Sequence, residues 1–146
     1  MDSLRYKTAI VGASETTELG QIPDKTEFQL HVDAAMNAVK DCGIEKSEID
    51  GIATTMSPAA LAHYLGIVPK WIDNTQVGGT SFLVHVRHAA AAIASGLCNT
   101  VLVSMAQSGR SRVGEQSGRI GDVSAMAGGR RDSSFPGQFE SPYGIA

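Results

Sequence analysis

Cysteine is scarce in this 146-residue chain, which has only Cys42 and Cys98, neither in a CxxC pair nor beside a histidine. That sparsity disfavours a disulfide framework and a zinc finger, and a reducing cytoplasm fits it best. Aromatics make up 5 % of the residues and charged residues 18 %. A net charge of −3 gives no footprint for nucleic acid or an anionic membrane. There is also no long apolar run: the richest stretch, residues 82–94, is interrupted by His85, Arg87 and His88, so no membrane span is expected. The opening MDSLRYKTAIVGAS lacks signal-peptide architecture. Gly12 and Gly20 lie too far apart for GxGxxG, which disfavours a dinucleotide fingerprint.

What is present is an alternation of short β-branched runs and helical patterns. Residues 8–13 (TAIVGA) read as a first buried strand. Thr26 with Gln29 is a capping-box signature, and Leu30, Ala34, Ala35, Ala38, Val39 and Cys42 form a helical stripe ending at Gly43. Residues 49–55 read as a second strand. Ser57-Pro58 opens a helix that ends at Gly66. A strand over 69–75, a helix from 82 and a strand over 100–105 complete the order. Such alternation implies right-handed crossovers and a largely parallel sheet between helices, an α/β protein. The Ala-rich third helix (AAAAIA) is expected to be buried on several sides.

The chain is organised around residues 71–106, where Gly78-Gly79 makes a turn that aims the start of the third helix at a bend. Enzymes often place an activated nucleophile at such a tip. Here the tip has no cysteine. Ser81 is the local candidate, but GTSFL lacks the glycine that follows the serine in GxSxG, so a helix-capping role for Thr80 or Ser81 is favoured over a hydrolase. His85 and His88 stand at i, i+3 without a third metal ligand, and ordinary hydrogen-bonded packing is favoured there as well. His31 and His63 are expected to face solvent or a helix seam. Cys98 lies beyond the third helix, away from its positive end, and reads as a buried structural thiol.

From residue 107 onward periodicity fades. Half of the 16 glycines fall in 107–146, together with Arg110, Arg112, Arg119, Arg130 and Arg131. This segment is either a phosphate- or carboxylate-holding loop or a solvated one. It ends on FESPYGIA, which reads as the start of a further element, so the chain is expected to be the front part of a longer protein.

Three stretches carry a resemblance: TAIVGASE, AMNAVKDCGIEKSEIDGI and NTQVGGTSFLVHVRHAAAAIASGLCNTVLVSMAQSGRS. Together, over residues 7–112, they resemble the N-terminal half of thiolase-superfamily proteins. The nearest branch is the thiolase-like and lipid-transfer (sterol carrier protein X-type) group. The resemblance implies a three-layer α/β/α half of βαβαβαββ topology with a mostly parallel five-stranded sheet. It divides the chain into a thiolase-like core over 1–106 and a Gly/Ser/Arg-rich loop or subunit-contact region over 107–146.

It also implies coenzyme A thioesters as substrates, no covalently bound cofactor, and a homodimer through the thiolase-type face. The family's nucleophilic cysteine aligns with Gly79, which cannot attack a thioester. Its acid/base histidine and second cysteine belong to a C-terminal half. The chemistry implied is therefore Claisen or retro-aldol in the complete protein, as in thiolase-like aldolases that often work with a small OB-fold partner subunit. Ser81 stays a weak catalytic candidate, and Arg110 and Arg112 weak candidates for a CoA phosphate. The alternative is a non-catalytic scaffold or assembly subunit.

Overall fold

The computed structural model describes Leu4 and residues 6–108. Thr26 caps the first helix, α1 (Glu27–Cys42), through the expected capping box: its hydroxyl accepts the Gln29 N–H at 3.3 Å, and the Gln29 side chain accepts the Thr26 N–H at 2.8 Å. Gly43 ends it in the left-handed conformation. A 3₁₀ turn (Lys46–Glu48) leads to β1 (Gly51–Thr54). Ser57 caps α2 (Pro58–Leu65), which stops at a left-handed Gly66. Then come β2 (Trp71–Asp73), α3 (Ser81–Ala94) and β3 (Val101–Ser104).

The three strands form one parallel sheet in the order β2-β1-β3, with Ile52 opposite both Ile72 and Leu102. Period-2 alternation puts Ile52, Thr54, Leu102 and Ser104 on one face. That face meets α1 and α2 in a core of Ala35, Ile49, Leu61, Leu65 and Ile67. The opposite face receives α3 through Ala89 and Ala92. Ile52 and Ala53 are both fully buried, because β1 is covered on both faces. Gly51 is glycine for lack of room: a Cβ there would stand 2.8 Å from Val101 Cγ2 and 3.3 Å from the Trp71 ring.

At the start of that sheet the carboxylate of Asp50 ties three segments together. It accepts the Asn99 and Thr100 N–H groups at 2.7 and 2.9 Å, the Asn99 amide at 3.1 Å and the Lys70 ammonium at 3.1 Å. Burial works to raise its pKa, but these donors outweigh burial and hold it well below the usual carboxylate range. Cys98 is buried beside it, and its thiol is pushed up by desolvation and by the Asp50 charge.

Two expectations about the elements need correction. Residues 8–13 are not a strand. They run along α1, where the Ala13 N–H donates to Asp41 at 3.1 Å and the Gly12 backbone is pressed against Ala38 and Cys42. Ile10 and Val11 are left exposed, and β1 pairs directly with β3. A β-branched run has strand propensity, but here its end is tied to an α1 side chain rather than to a neighbouring strand, and three strands stand among the described residues where the resemblance implied five. The part of the expected sheet beyond residue 108 lies outside the described residues. The second correction concerns α3, which is buried along one stripe only (Ser81, His85, Ala89, Ala92), while Phe82, Leu83 and Val86 are exposed.

Candidate functional site

The glycine elbow joins the C-terminal end of β2 to the first turn of α3, on the sheet edge where open parallel α/β folds receive ligands. It is held by side chains that fold back on the main chain. One carboxylate oxygen of Asp73 accepts both the Thr75 N–H at 3.0 Å and the Thr75 hydroxyl at 2.7 Å, closing a local turn. The other oxygen meets His88 Nδ1 at 2.6 Å. Desolvation works to raise the Asp73 pKa, but the bonds from Thr75 and His88 prevail and lower it.

Beyond the turn, the Gln76 amide donates to the Thr55 carbonyl at 2.8 Å and fastens the elbow to the end of β1. The Val77 N–H donates to Ser81 Oγ at 3.0 Å, and the Ser81 hydroxyl donates to the Gly78 carbonyl at 2.6 Å. Ser81 is fully buried, so its hydroxyl knits the turn together. Gly78 has φ +84°, a conformation that disfavours any residue with a Cβ. Thr80 occupies the N-cap position without a side-chain capping bond.

The two histidines of α3 diverge rather than converge. His85 is fully buried at the base of the elbow and donates its Nε2–H to the Thr75 carbonyl at 2.8 Å, a tautomer that leaves Nδ1 as a buried acceptor without a partner among the described residues. His88 is 44 % exposed and pairs with Asp73 beside a shallow depression of about 380 Å³ that also borders Trp71 and Leu97. No group of three or more histidine, cysteine or carboxylate side chains among the described residues is arranged to hold a metal.

On the other face of the sheet, His31 corrects its expected position: it is fully buried. Its Nε2 accepts the Ala106 N–H at 3.2 Å. Because that donor is fixed, Nδ1 carries the ring proton and donates to Ser104 Oγ at 2.9 Å. Ser104 in turn donates to Thr54 Oγ1 at 3.2 Å. Burial pushes the His31 pKa down to about 4. The α1 stripe gave no signal for this network, since a histidine next to Leu30 on an amphipathic helix reads as a boundary residue. Asp73-x-Thr75 could have been found as a turn-forming spacing. Gly79 and Ser81 are thus brought together at one elbow, whereas Arg110 and Arg112 lie outside the described residues.

No protein-family model matches the chain. Among curated proteins it is 28 % identical over 149 aligned residues to the 17-hydroxy-3-oxo-4-pregnene-20-carboxyl-CoA lyase of Mycobacterium tuberculosis, covering 98 % of this chain and 37 % of that one. It is 32 % identical over 126 residues to the steroid side-chain-cleaving aldolase of Thermomonospora curvata, covering 83 % of this chain and 32 % of that one. The chain thus spans about a third of the length of these relatives.

Among solved structures, the Ltp2-ChsH2(DUF35) aldolase superposes with a TM-score of 0.61 at 25 % identity, over 94 % of this chain and 35 % of that one. A monomeric SCP2-thiolase-like protein type 1 from Mycobacterium smegmatis gives 0.57 at 28 % identity, over 67 % and 23 %. A priming β-ketosynthase of the R1128 polyketide pathway shares the fold alone, at 0.50 and 23 % identity over 60 % and 30 %. With its parallel sheet, its glycine elbow leading into α3 and these likenesses, the chain has the thiolase-like fold.

Proposed function

We propose that this chain is the elbow-bearing N-terminal part of an enzyme that makes or breaks a carbon–carbon bond in a coenzyme A thioester, by retro-aldol chemistry in the cleaving direction. The observation that carries the reading is Gly79. It stands where the resembling family keeps its acylated cysteine, and a residue without a side chain cannot form an acyl-enzyme. What the elbow retains is the positive end of α3, which favours negative charge developing on an oxygen near it. Retro-aldol cleavage needs that help and no covalent intermediate: the proton of a β-hydroxyl leaves, the adjacent C–C bond breaks, and a carbonyl compound departs from a thioester enolate. The names of the two curated relatives, a lyase and an aldolase, support the same class. The first of them is named for a hydroxylated steroid carboxyl-CoA, so a bulky β-hydroxyacyl thioester is the substrate type proposed here.

The remaining parts of the reading rest on the same resemblance. The working protein is a homodimer accompanied by a small OB-fold subunit, both taken from the resemblance; one similar solved structure is named an Ltp2-ChsH2(DUF35) aldolase. The free thioester is substrate rather than resident cofactor, with Arg110 and Arg112 near its phosphates. The core over 1–106 bears the elbow, and 107–146 serves as loop or subunit contact in a cytoplasmic enzyme. Among the described residues no helix is long and apolar enough to cross a membrane. Titrating the purified protein with acyl-CoA esters, in the presence of the products of neighbouring genes, tests the reading. Absence of both binding and aldol cleavage sinks it.

A non-catalytic scaffold is the second reading, favoured by the exposed Phe82, Leu83 and Val86 along α3. Size measurement with and without a co-expressed partner separates the two: a complex that assembles but neither binds nor cleaves acyl-CoA is a scaffold.

A further inference from the structure

Three side chains on one face of α3 hold the connector that leads into it. Ser81, His85 and His88 stand at i, i+4 and i+7, on successive turns of the helix. Their partners follow one another along the connector in reverse order. Ser81 Oγ accepts the Val77 N–H and donates to the Gly78 carbonyl, His85 Nε2–H donates to the Thr75 carbonyl, and His88 Nδ1 meets the Asp73 carboxylate. The connector therefore runs back along the helix, bonded to it once per turn.

Each acceptor also fixes a tautomer. A carbonyl has no proton to give, so His85 carries its proton on Nε2, and the ionised Asp73 requires the His88 proton on Nδ1. The two contacts meet in one turn, because Asp73 also accepts the Thr75 N–H and hydroxyl. His88 grips that turn by its carboxylate and His85 grips it by its carbonyl. The grip is fully buried at His85 and 44 % exposed at His88.

We infer that His85 and His88 are positioning residues for the elbow: by holding the turn from Asp73 to Thr75 against α3, they keep the main chain of the glycine turn in one orientation to the start of the helix. The assignment rests on the acyl-CoA reading above and names the side chains that preorganise its dipole without touching the thioester.

The test uses the geometry of amides. Asparagine carries its N–H donor where imidazole has Nδ1, and glutamine carries it where imidazole has Nε2. His85→Gln and His88→Asn thus keep the observed donor, whereas His85→Asn and His88→Gln displace it. The four variants are made in the full chain, purified with its partners, and assayed with (1-hydroxycyclohexyl)acetyl-CoA, whose cleavage releases cyclohexanone and acetyl-CoA. In the two displaced variants kcat is expected to fall about tenfold or more with KM within about twofold, the scale of loss from misplacing a preorganised group. In the two that keep the donor, kcat is expected to stay within about threefold of the parent. Should His85→Asn fail to fold, the half-exposed His88 pair decides the matter alone. Equal losses for asparagine and glutamine at His88, or a change confined to KM, overturn the inference and leave the acyl-CoA reading standing. A parent protein that leaves the thioester intact refutes that reading, and the inference falls with it.

Discussion

Lowering the pH from 7.5 to 5 is expected to remove about 2 kcal/mol of folding stability through His31 alone, the consequence of burying an imidazole whose pKa falls from 6.5 to about 4. In the folded protein the ring is neutral, with Nε2 accepting from Ala106 and Nδ1–H donating to Ser104. In the unfolded chain it takes up a proton as the pH passes below 6.5. Because the folded value lies below the unfolded one and the group is a base, stability is intact above pH 6.5 and declines as the pH falls towards 4. The full difference is about 3 kcal/mol. Protonation would turn Nε2 into a second donor facing the Ala106 N–H, two donors with no acceptor between them.

The assay is urea unfolding followed by Trp71 fluorescence, at pH 7.5 and pH 5.0, for the parent and for His31→Gln. Glutamine keeps one acceptor and one donor without titrating. The two proteins differ in one titratable group, so the difference between their pH dependences isolates His31. The parent is expected to lose about 2 kcal/mol more than the variant over this interval. Equal losses, or an NMR titration of the His31 ring with its midpoint near 6, refute the tautomer and the burial on which the number rests.

Gly78→Ala should cost about 1 kcal/mol in chemical denaturation, since it forces a Cβ into φ +84°, whereas Gly79→Ala should be near neutral; the reverse order would mean that the elbow is misread. Asp50→Ala leaves the Asn99 and Thr100 N–H groups without their acceptor and is expected to lower stability by about 2–3 kcal/mol. The low pKa of Asp50 also means that its contribution is present above the ordinary carboxylate value and is lost as strong acid protonates it, which an acid-unfolding curve of the parent and Asp50→Asn should resolve. Gly79→Cys should place a thiol at the positive end of α3. Its iodoacetamide reaction is expected to follow a pKa below the free-thiol value of about 8.5, while the buried Cys98 stays unreactive; a rate rising only above pH 8.5 would argue against the dipole's influence.

Where the sequence was informative, the information was local. A capping box at Thr26 and Gln29, a serine-proline start at Ser57, and glycine stops at Gly43 and Gly66 each depend on a few adjacent residues, and each is found where the pattern puts it. The strands β1, β2 and β3 lie inside the runs expected for them, although each is shorter. The error at residues 8–13 has the opposite cause. Whether a β-branched run joins a sheet depends on a free edge within reach and on competing donors and acceptors. Asp33, Asn37 and Asp41, spaced four apart along α1, bind Thr17, Glu15 and Ala13 in reverse order. That register is written in the sequence only as three polar residues on a helix, indistinguishable there from a solvated face.

The elbow divides in the same way between what a sequence displays and what it conceals. Gly78-Gly79 and the helix behind it were legible as a turn, but the two glycines do different work. Gly78 answers to a dihedral angle, and Gly79 answers to no local constraint that the described residues impose. Only the fold separates the two, because a glycine required by the backbone and a glycine free of that requirement are the same letter. The same holds for His85, whose sequence position suggested a pairing with His88 but whose ring is held by the Thr75 carbonyl, ten residues earlier in the chain. An elbow built from main-chain groups, two glycines and a buried imidazole offers no motif to search for. Under the proposed retro-aldol reading, glycine at 79 supplies no thiol for an acyl-enzyme, and what the elbow contributes is the fixed dipole of α3.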